Sequence, residues 1–367
     1  MNVKSEALSN KLDELQEEYS KTKINKATNK HVGALRAKIA KVKHEIIESG
    51  KRAAGSGFFV KRSGDATVAL MGFPNVGKSS LLNAISNAKS KTSTHAFTTL
   101  TVVPGTMIYK EAHIQVFDLP GIIENAHKGL GGGRTVISAM KSTDLIVFVI
   151  DVRAPDQLGI LLNELRALNV FVNKIKPRVY IKQSISYPKV VVEINRSRIN
   201  NKDVETICNG FGIYQAHVKI EDDLGEDELI SLVAGRSFYM DAIVLLNKID
   251  LNPRYSEVSD YMASKYGIRV IPISATNMTN LSEVRDAIYG HLDLITIRLK
   301  PKSPQEPVTP MILKGRSTVR DAAGKIHTEI ADEIKAAWVT GPSVKFPNQR
   351  VSAEHVLQDG DTVTFIK

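Results

Sequence analysis

This chain of 367 residues is short of cysteine, of histidine clusters and of long apolar runs. Its single cysteine, Cys208, excludes an internal disulfide and fits a reducing compartment. Taken alone, Cys208 reads as a small buried hydrophobe. The nine histidines are scattered and make no zinc-like spacing. No stretch approaches the roughly 20 apolar residues of a membrane span. The N-terminus, with Glu6, Asp13 and Glu14, lacks the apolar core of a signal peptide. These absences point to a cytoplasmic protein with no membrane partner. The middle of the chain also lacks net charge: residues 63–295 carry 24 groups of each sign. The whole excess of +10 lies at the ends, where residues 1–62 hold 14 Lys/Arg against 7 Asp/Glu and residues 296–367 hold 11 against 8. Basic ends around a neutral middle suggest a polyanionic partner.

What is present begins with a phosphate loop. Gly72-Phe73-Pro74-Asn75-Val76-Gly77-Lys78-Ser79 is a full G-x-x-x-x-G-K-S motif. It follows a strand-like run, Thr67–Met71, and precedes a helix-like run that opens at Ser80. Its backbone N–H groups can cradle phosphate oxygens beside a helix N-terminus, so residues 72–80 are the expected phosphate contacts. Lys78 is expected to reach the β- and γ-phosphates, and the Ser79 hydroxyl to hold Mg²⁺.

Four further motifs select GTP over ATP. Phe97-Thr98-Thr99-Leu100 stands where a switch threonine belongs, with Thr99, or its neighbour Thr98, as a Mg²⁺ ligand. Asp118-Leu119-Pro120-Gly121 ends an apolar strand; Asp118 is placed to hold Mg²⁺ through water and the Gly121 N–H to sense the γ-phosphate. Lys78, Thr99 and Gly121 are thus the expected catalytic residues. Asn247-Lys248-Ile249-Asp250 follows the run Ala242–Leu246. The Asp250 carboxylate can accept from the guanine N1–H and 2-amino group, which adenine lacks. Ser274-Ala275 can bring a backbone N–H to guanine O6. A site built on such polar contacts rejects the wrong base strongly. Each motif lies at the C-terminal end of an apolar run, where ligands of open α/β sheets gather.

The rest of the chain reads as additions to this α/β GTPase domain. Residues 1–50 carry two apolar stripes, Leu8-Leu12-Leu15-Tyr19 and Val32-Leu35-Ile39-Val42-Ile46, which predict a helical hairpin. Gly50–Gly64 is a linker by composition. The GTPase domain is expected over 65–166 and 239–295. Between Asp151 and Ala242 lie far more residues than one βαβ crossover of about 30 residues needs. Residues 167–238 are therefore expected to be an inserted small α+β domain. Within it Val179–Lys182 and Val190–Ile194 look like the strands of a hairpin, followed by helix, strand and helix. Lys300–Pro307 reads as a proline-rich linker. Residues 300–367 then read as a compact ubiquitin-like β-grasp domain, with Ser317 capping a helix from Thr318 towards Ile330.

With these parts in place, the chain resembles the developmentally regulated GTP-binding protein family, a branch of the Obg-type GTPases, over essentially its full length. The residues that carry the likeness are 72–79, Phe97–Leu100, Asp118-Leu119-Pro120-Gly121-Ile122-Ile123, Gly129-Leu130-Gly131-Gly132-Gly133-Arg134 and Leu357-Gln358-Asp359-Gly360-Asp361. The resemblance implies an insert like the second domain of ribosomal protein S5, a C-terminal TGS domain, a role beside the ribosome in translation, and an accessory regulatory protein. In potassium-activated GTPases that this loop resembles, an Asn at the position of Asn75 helps hold K⁺; the other reading is that Asn75 only shapes the loop. Ile122 stands where Ras-type enzymes carry the water-orienting Gln, so slow intrinsic hydrolysis is expected. Arg134 is a further candidate for supplying stabilising charge.

The function expected is hydrolysis of GTP to GDP and phosphate, switching attachment to the ribosome or to structured RNA. The alternative is a ribosome- or RNA-binding module in which the nucleotide is mainly structural. Lys21, Lys23, Lys26 and Lys30, then Lys38, Lys41 and Lys43, would meet the RNA. No aromatic platform accompanies these lysines, which points to recognition of folded RNA by shape and charge.

Overall fold

The computed structural model describes residues 3–22, 31–35, 38–39, 42, 64–86, 104–119, 139–140, 142–235, 237–301 and 307–366. Along the chain, α1 (Val3–Lys21) precedes β1 (Ala66–Met71), α2 (Lys78–Ile85), β2 (Pro104–Tyr109), β3 (Ala112–Asp118), β4 (Leu145–Asp151) and α3 (Gln157–Ala167). Next come β5 (Val170–Val172), β6 (Val179–Gln183), β7 (Val190–Asn195), α4 (Asn201–Gly210), β8 (Ala216–Ile220) and α5 (Glu226–Val233). β9 (Phe238–Asn247), α6 (Tyr255–Tyr266), β10 (Val270–Pro272) and α7 (Leu281–His291) follow. The chain closes with β11 (Leu294–Leu299), β12 (Thr309–Lys314), α8 (Val319–Ile326), α9 (Thr328–Glu333), β13 (Ala336–Thr340), β14 (Gln349–Ser352) and β15 (Thr362–Ile366). Two compact units result: Met1–Phe59, Ile122–Met140 and Leu162–Met240 make one, and Val60–Gly121, Lys141–Leu161 and Asp241–Lys367 the other. Among the described residues, no helix is long and apolar enough to cross a membrane.

The second unit contains a P-loop GTPase domain. Its strands lie in the order β10-β9-β4-β1-β3-β2. All pairs are parallel except β2 with β3. β1 and β4 are buried along their whole length, which is why both are apolar at nearly every position, with only Thr67 and Asp151 polar. Leu81, Leu82 and Ile85 of α2 and Leu281, Val284 and Ile288 of α7 pack on this sheet. Parallel pairing brings the C-terminal ends of β1, β3, β4, β9 and β10 to one edge. The chain leaves β1 there and proceeds to both sides of it, the place where such sheets bind ligands.

The same unit carries the C-terminal TGS domain, a five-stranded sheet in the order β12-β11-β15-β13-β14. β11 runs parallel to β15; the other pairs are antiparallel. Val319, Ala322 and Ala323 of α8 pack against Leu313, Ala337, Val339 and Val363. Two expectations are corrected here. The proline-rich segment is not a link between domains, because it lies between β11 and β12, which pair from Leu294↔Lys314 to Leu299↔Thr309. The domain thus begins at β11, which enters directly from α7 through Asp293 at a left-handed φ of 48°. The cap of α8 is Thr318, not Ser317: Thr318 and Asp321 form a reciprocal capping box. The helix then stops at His327, in extended backbone, before α9.

The TGS domain is held to the GTPase core by apolar and ionic contacts. Leu294 and Ile312 belong to the same buried cluster as Val68, Ile114 and Val147. Lys325 donates from Nζ to Asp65 Oδ1 at 2.6 Å, and Lys314 Nζ lies 3.2 Å from Asp144 Oδ1.

In the first unit, the insert forms a three-stranded sheet in the order β6-β8-β7. The expected hairpin of β6 and β7 is therefore absent. β8 lies between them, antiparallel to β6 and parallel to β7. α4 supplies the crossover from β7 to β8, as a parallel neighbour requires. Val204, Ile207 and Cys208 of α4 pack with Val218, Ile220 and Leu229. Burial pushes the Cys208 thiol up to about 11, as befits a structural hydrophobe. β5 pairs with Phe238–Met240. At the N-terminus, residues 31–35 are helical, Val32, Leu35 and Val42 are buried, and His31 Nε2 meets Glu18 Oε1 of α1 at 3.1 Å. Residues 23–30 and most of 36–63 lie outside the described residues.

Candidate functional site

The phosphate loop leaves β1 at Gly72 and enters α2 at Lys78. Asn75 and Gly77 hold left-handed backbone, with φ of 63° and 97°. Asn tolerates that region, and only Gly fits the second position. A Cβ on Gly77 would lie 2.3 Å from Asn247 Nδ2. Lys78 is 8% exposed, and its ammonium donates to the carbonyls of Gly72 at 2.9 Å and Phe73 at 3.0 Å. Its head is thus folded back over the loop that is expected to wrap phosphate. Burial lowers its pKa, against the pull of Asp118 3.9 Å away.

Asp118 stands at the end of β3, beside β1. Burial raises its carboxyl above the ordinary range, opposed by Lys78 and by a hydrogen bond from Ser79. Its Oδ1 is buried and has no hydrogen-bond partner among the described residues. An orphaned carboxylate oxygen next to a serine hydroxyl fits a hard divalent cation, which takes oxygen ligands and keeps several waters. Mg²⁺ therefore fits the residues present, with Ser79 and Asp118 to hold it. The described residues contain no cluster of three His, Cys, Asp or Glu, and this kind of site needs none.

The base-recognition side is assembled by β9 and the loop after β10. Asn247 donates from Nδ2 to the Val76 carbonyl at 2.8 Å, and its Oδ1 accepts from the Ala275 N–H at 3.0 Å. One buried side chain therefore latches the phosphate loop to the Ser274-Ala275 loop. Ser274 donates from Oγ to Asp250 Oδ1 at 2.6 Å and accepts from the Asn277 N–H. Asp250 is exposed, and its Oδ2 has no bond among the described residues. The Ala275 N–H, expected to face guanine O6, is engaged by Asn247, so any bond from it to a base has to be shared. Lys248 reaches back across the loop and donates to the Asn75 carbonyl at 2.5 Å.

Asp151 is a residue that motif reading passes over. It ends β4, is 7% exposed, and accepts from Lys248 Nζ at 2.8 Å. Arg153 grips it from the other side, with Nη2 on Oδ2 at 2.7 Å and Nε on Oδ1 at 3.0 Å. The Arg153 guanidinium, then the Lys248 ammonium, hold the Asp151 carboxyl well below the carboxylate range despite its burial. Asp151 fixes where Lys248 stands. The available signal was an Asp at the C-terminal end of a buried parallel strand.

The structure brings together residues 72–80, Asp118, Asn247, Lys248, Asp250, Ser274 and Ala275 at one edge of the sheet. Phe97, Thr98, Thr99, Leu100, Gly121, Ile122 and Arg134 lie outside the described residues.

With this geometry in hand, comparison with known proteins is informative. Residues 67–184 match the model of a 50S ribosome-binding GTPase family, residues 184–294 the C-terminal region of that GTPase domain, and residues 295–367 the TGS domain. The TGS match starts within β11, as the sheet pairing does. An uncharacterised GTP-binding protein of Methanocaldococcus jannaschii is 39% identical over 355 residues, 96% of this chain and 91% of that protein. Developmentally regulated GTP-binding protein 2 of Homo sapiens is 35% identical over 365 residues, 97% of this chain and 98% of that protein. Developmentally regulated G-protein 3 of Arabidopsis thaliana is 36% identical over 366 residues, with the same coverage of both.

Proposed function

The chain belongs to the developmentally regulated GTP-binding protein family, and from that premise we propose that it is a slow GTPase whose nucleotide state switches its attachment to the ribosome. GTP binding and membership of a translation-related GTPase family follow from the family itself. The finer reading assigns roles. Lys78 neutralises β- and γ-phosphate charge, Ser79 and Asp118 hold Mg²⁺ with Thr99, the Gly121 N–H senses the γ-phosphate, and Asp250 reads guanine. Held by these residues, Mg²⁺ would offset negative charge on the phosphates. The observation that carries the reading is the Asn247 latch. It couples the loop for phosphate to the loop for the base through one side chain, as a site for a whole nucleotide requires.

The slow rate rests on Ile122, which offers no hydrogen bond to an attacking water. A cation held by Asn75 would supply charge where an arginine finger otherwise acts. Turnover is expected to be higher in KCl than in NaCl at equal ionic strength. Equal rates in a phosphate-release assay would assign Asn75 to loop shape alone, which its left-handed φ already explains.

The ribosomal part rests on the charge distribution and on the family model's description as ribosome-binding. Positive segments of this kind attract phosphate backbones without reading sequence, and the attraction falls steeply with salt. Replacing Lys21, Lys23, Lys26 and Lys30 together by Gln is expected to weaken ribosome binding and flatten its salt dependence, with intrinsic GTP turnover unchanged. Ribosome binding and salt dependence equal to the parent's would remove the N-terminal segment from the contact. Turnover measured with and without ribosomes tests the switch: stimulation is expected, and its absence favours a nucleotide that only stabilises the fold.

A further inference from the structure

Trp338 is the only tryptophan of the chain, and it is 40% exposed in the middle of a sheet. Its neighbours in β13, Ala337 and Val339, point into the TGS core, so Trp338 points to the opposite face. Directly across from it stand Arg350 of β14 and Thr364 of β15. In the adjacent row stand Thr340, Thr362 and Arg298 of β11. The GTPase core covers part of this face, where Leu294 and Ile312 are buried. Beyond them Arg298, Trp338, Thr340 and Arg350 are exposed.

The charge of this face has one sign. β11, β13, β14 and β15 contain no Asp or Glu. Arg298 and Arg350 form no ion pair with any carboxylate among the described residues. An aromatic ring flanked by unpaired guanidinium groups and threonine hydroxyls is the composition that binds unpaired nucleotides. The ring stacks on a base, the cations meet phosphate, and the hydroxyls bond to sugar or base edges. A protein partner would favour a broader apolar patch, and Trp338 is the one exposed large hydrophobe among the described strand residues of this face.

We propose that the free face of the TGS sheet is a platform for single-stranded RNA, with Trp338 as the stacking residue and Arg350 and Arg298 as phosphate contacts. The proposal rests on the reading of RNA as the partner and adds a second, different mode of contact. The N-terminal lysines meet folded RNA by charge, whereas this face takes unpaired bases.

Trp338 reports on its own occupancy. Titrating the full chain with short oligoadenylate and oligouridylate is expected to quench tryptophan emission, and duplex RNA of equal charge to quench it much less. Trp338→Ala is expected to weaken binding of labelled oligoadenylate about tenfold, from the loss of one stacked base. Trp338→Phe should retain most of the affinity, and Arg350→Gln should reduce the salt dependence. GTP turnover of each variant serves as the folding control and should equal the parent's. Unchanged emission, or parental affinity in Trp338→Ala, overturns the platform. Quenching by oligoglutamate and not by RNA overturns it in favour of an acidic protein partner. Ribosome co-sedimentation separates the two levels. Trp338→Ala with parental affinity for both oligonucleotide and ribosome sinks the platform and leaves the ribosomal reading standing. A parent that binds oligonucleotide but no ribosome does the reverse.

Discussion

Asp250→Asn should lower GTP affinity about a hundredfold and shift preference towards xanthosine triphosphate. In the role proposed for it, the parent carboxylate offers acceptors to two guanine donors, N1–H and the 2-amino group. Each hydrogen bond left unmade costs about 1–3 kcal/mol, and every 1.4 kcal/mol is about tenfold in affinity. Ser274 decides the orientation of the new amide. Its Oγ donates to Asp250 Oδ1 at 2.6 Å, so the amide oxygen of the variant will face Ser274 and its NH₂ will face the base. That NH₂ opposes the guanine amino group but suits the 2-carbonyl of xanthine. Competition of the two triphosphates for a fluorescent guanine nucleotide measures the preference. An Asp250→Asn protein that binds GTP like the parent would show that the base is read elsewhere.

Lys78→Met should reduce single-turnover GTP hydrolysis by about 10²–10³-fold, the usual cost of removing one donor aimed at developing charge in a water-excluded site. Met keeps much of the buried stem and removes only the ammonium. The Gly72 and Phe73 carbonyls, which accept from Lys78, lose a donor, and Asp118 loses the cation 3.9 Å away. The carboxyl of Asp118, already raised by burial, should rise further. Below its folded pKa it would bind a proton in place of the Mg²⁺ proposed there. The variant's residual hydrolysis should therefore fall off at a higher pH than the parent's. Hydrolysis within a few-fold of the parent would remove Lys78 from the chemistry.

The loops proposed to contact nucleotide could be picked out in the sequence because phosphate and guanine demand particular residue types at fixed spacing. Gly77 is an example. Its positive φ and the nearness of Asn247 Nδ2 leave no room for a side chain. The buried strand β4 was legible as a continuous apolar run over Leu145–Ile150, and β1 as a strand-like run before the phosphate loop. Strand pairing was less so. β6 and β7 carry apolar alternation, but alternation does not say which strand is the neighbour, and β8 lies between them. β11 escaped because it follows α7 after a very short turn, and the proline-rich stretch after it resembles a domain boundary. Asp151 belongs to no nucleotide motif; its importance appears only when Arg153 and Lys248 are seen to converge on it. Trp338 sits in a recognisable strand, yet the sequence does not tell which face of that strand stays open.

Ribosome co-sedimentation in the presence of GDP or a non-hydrolysable GTP analogue tests the central claim most directly, since a switch must bind its target differently in its two nucleotide states. The full-length protein is expected to pellet with ribosomes in the analogue and to remain largely in the supernatant in GDP. Equal pelleting in both nucleotides, at a salt concentration where binding is partial, would contradict a GTP-driven switch.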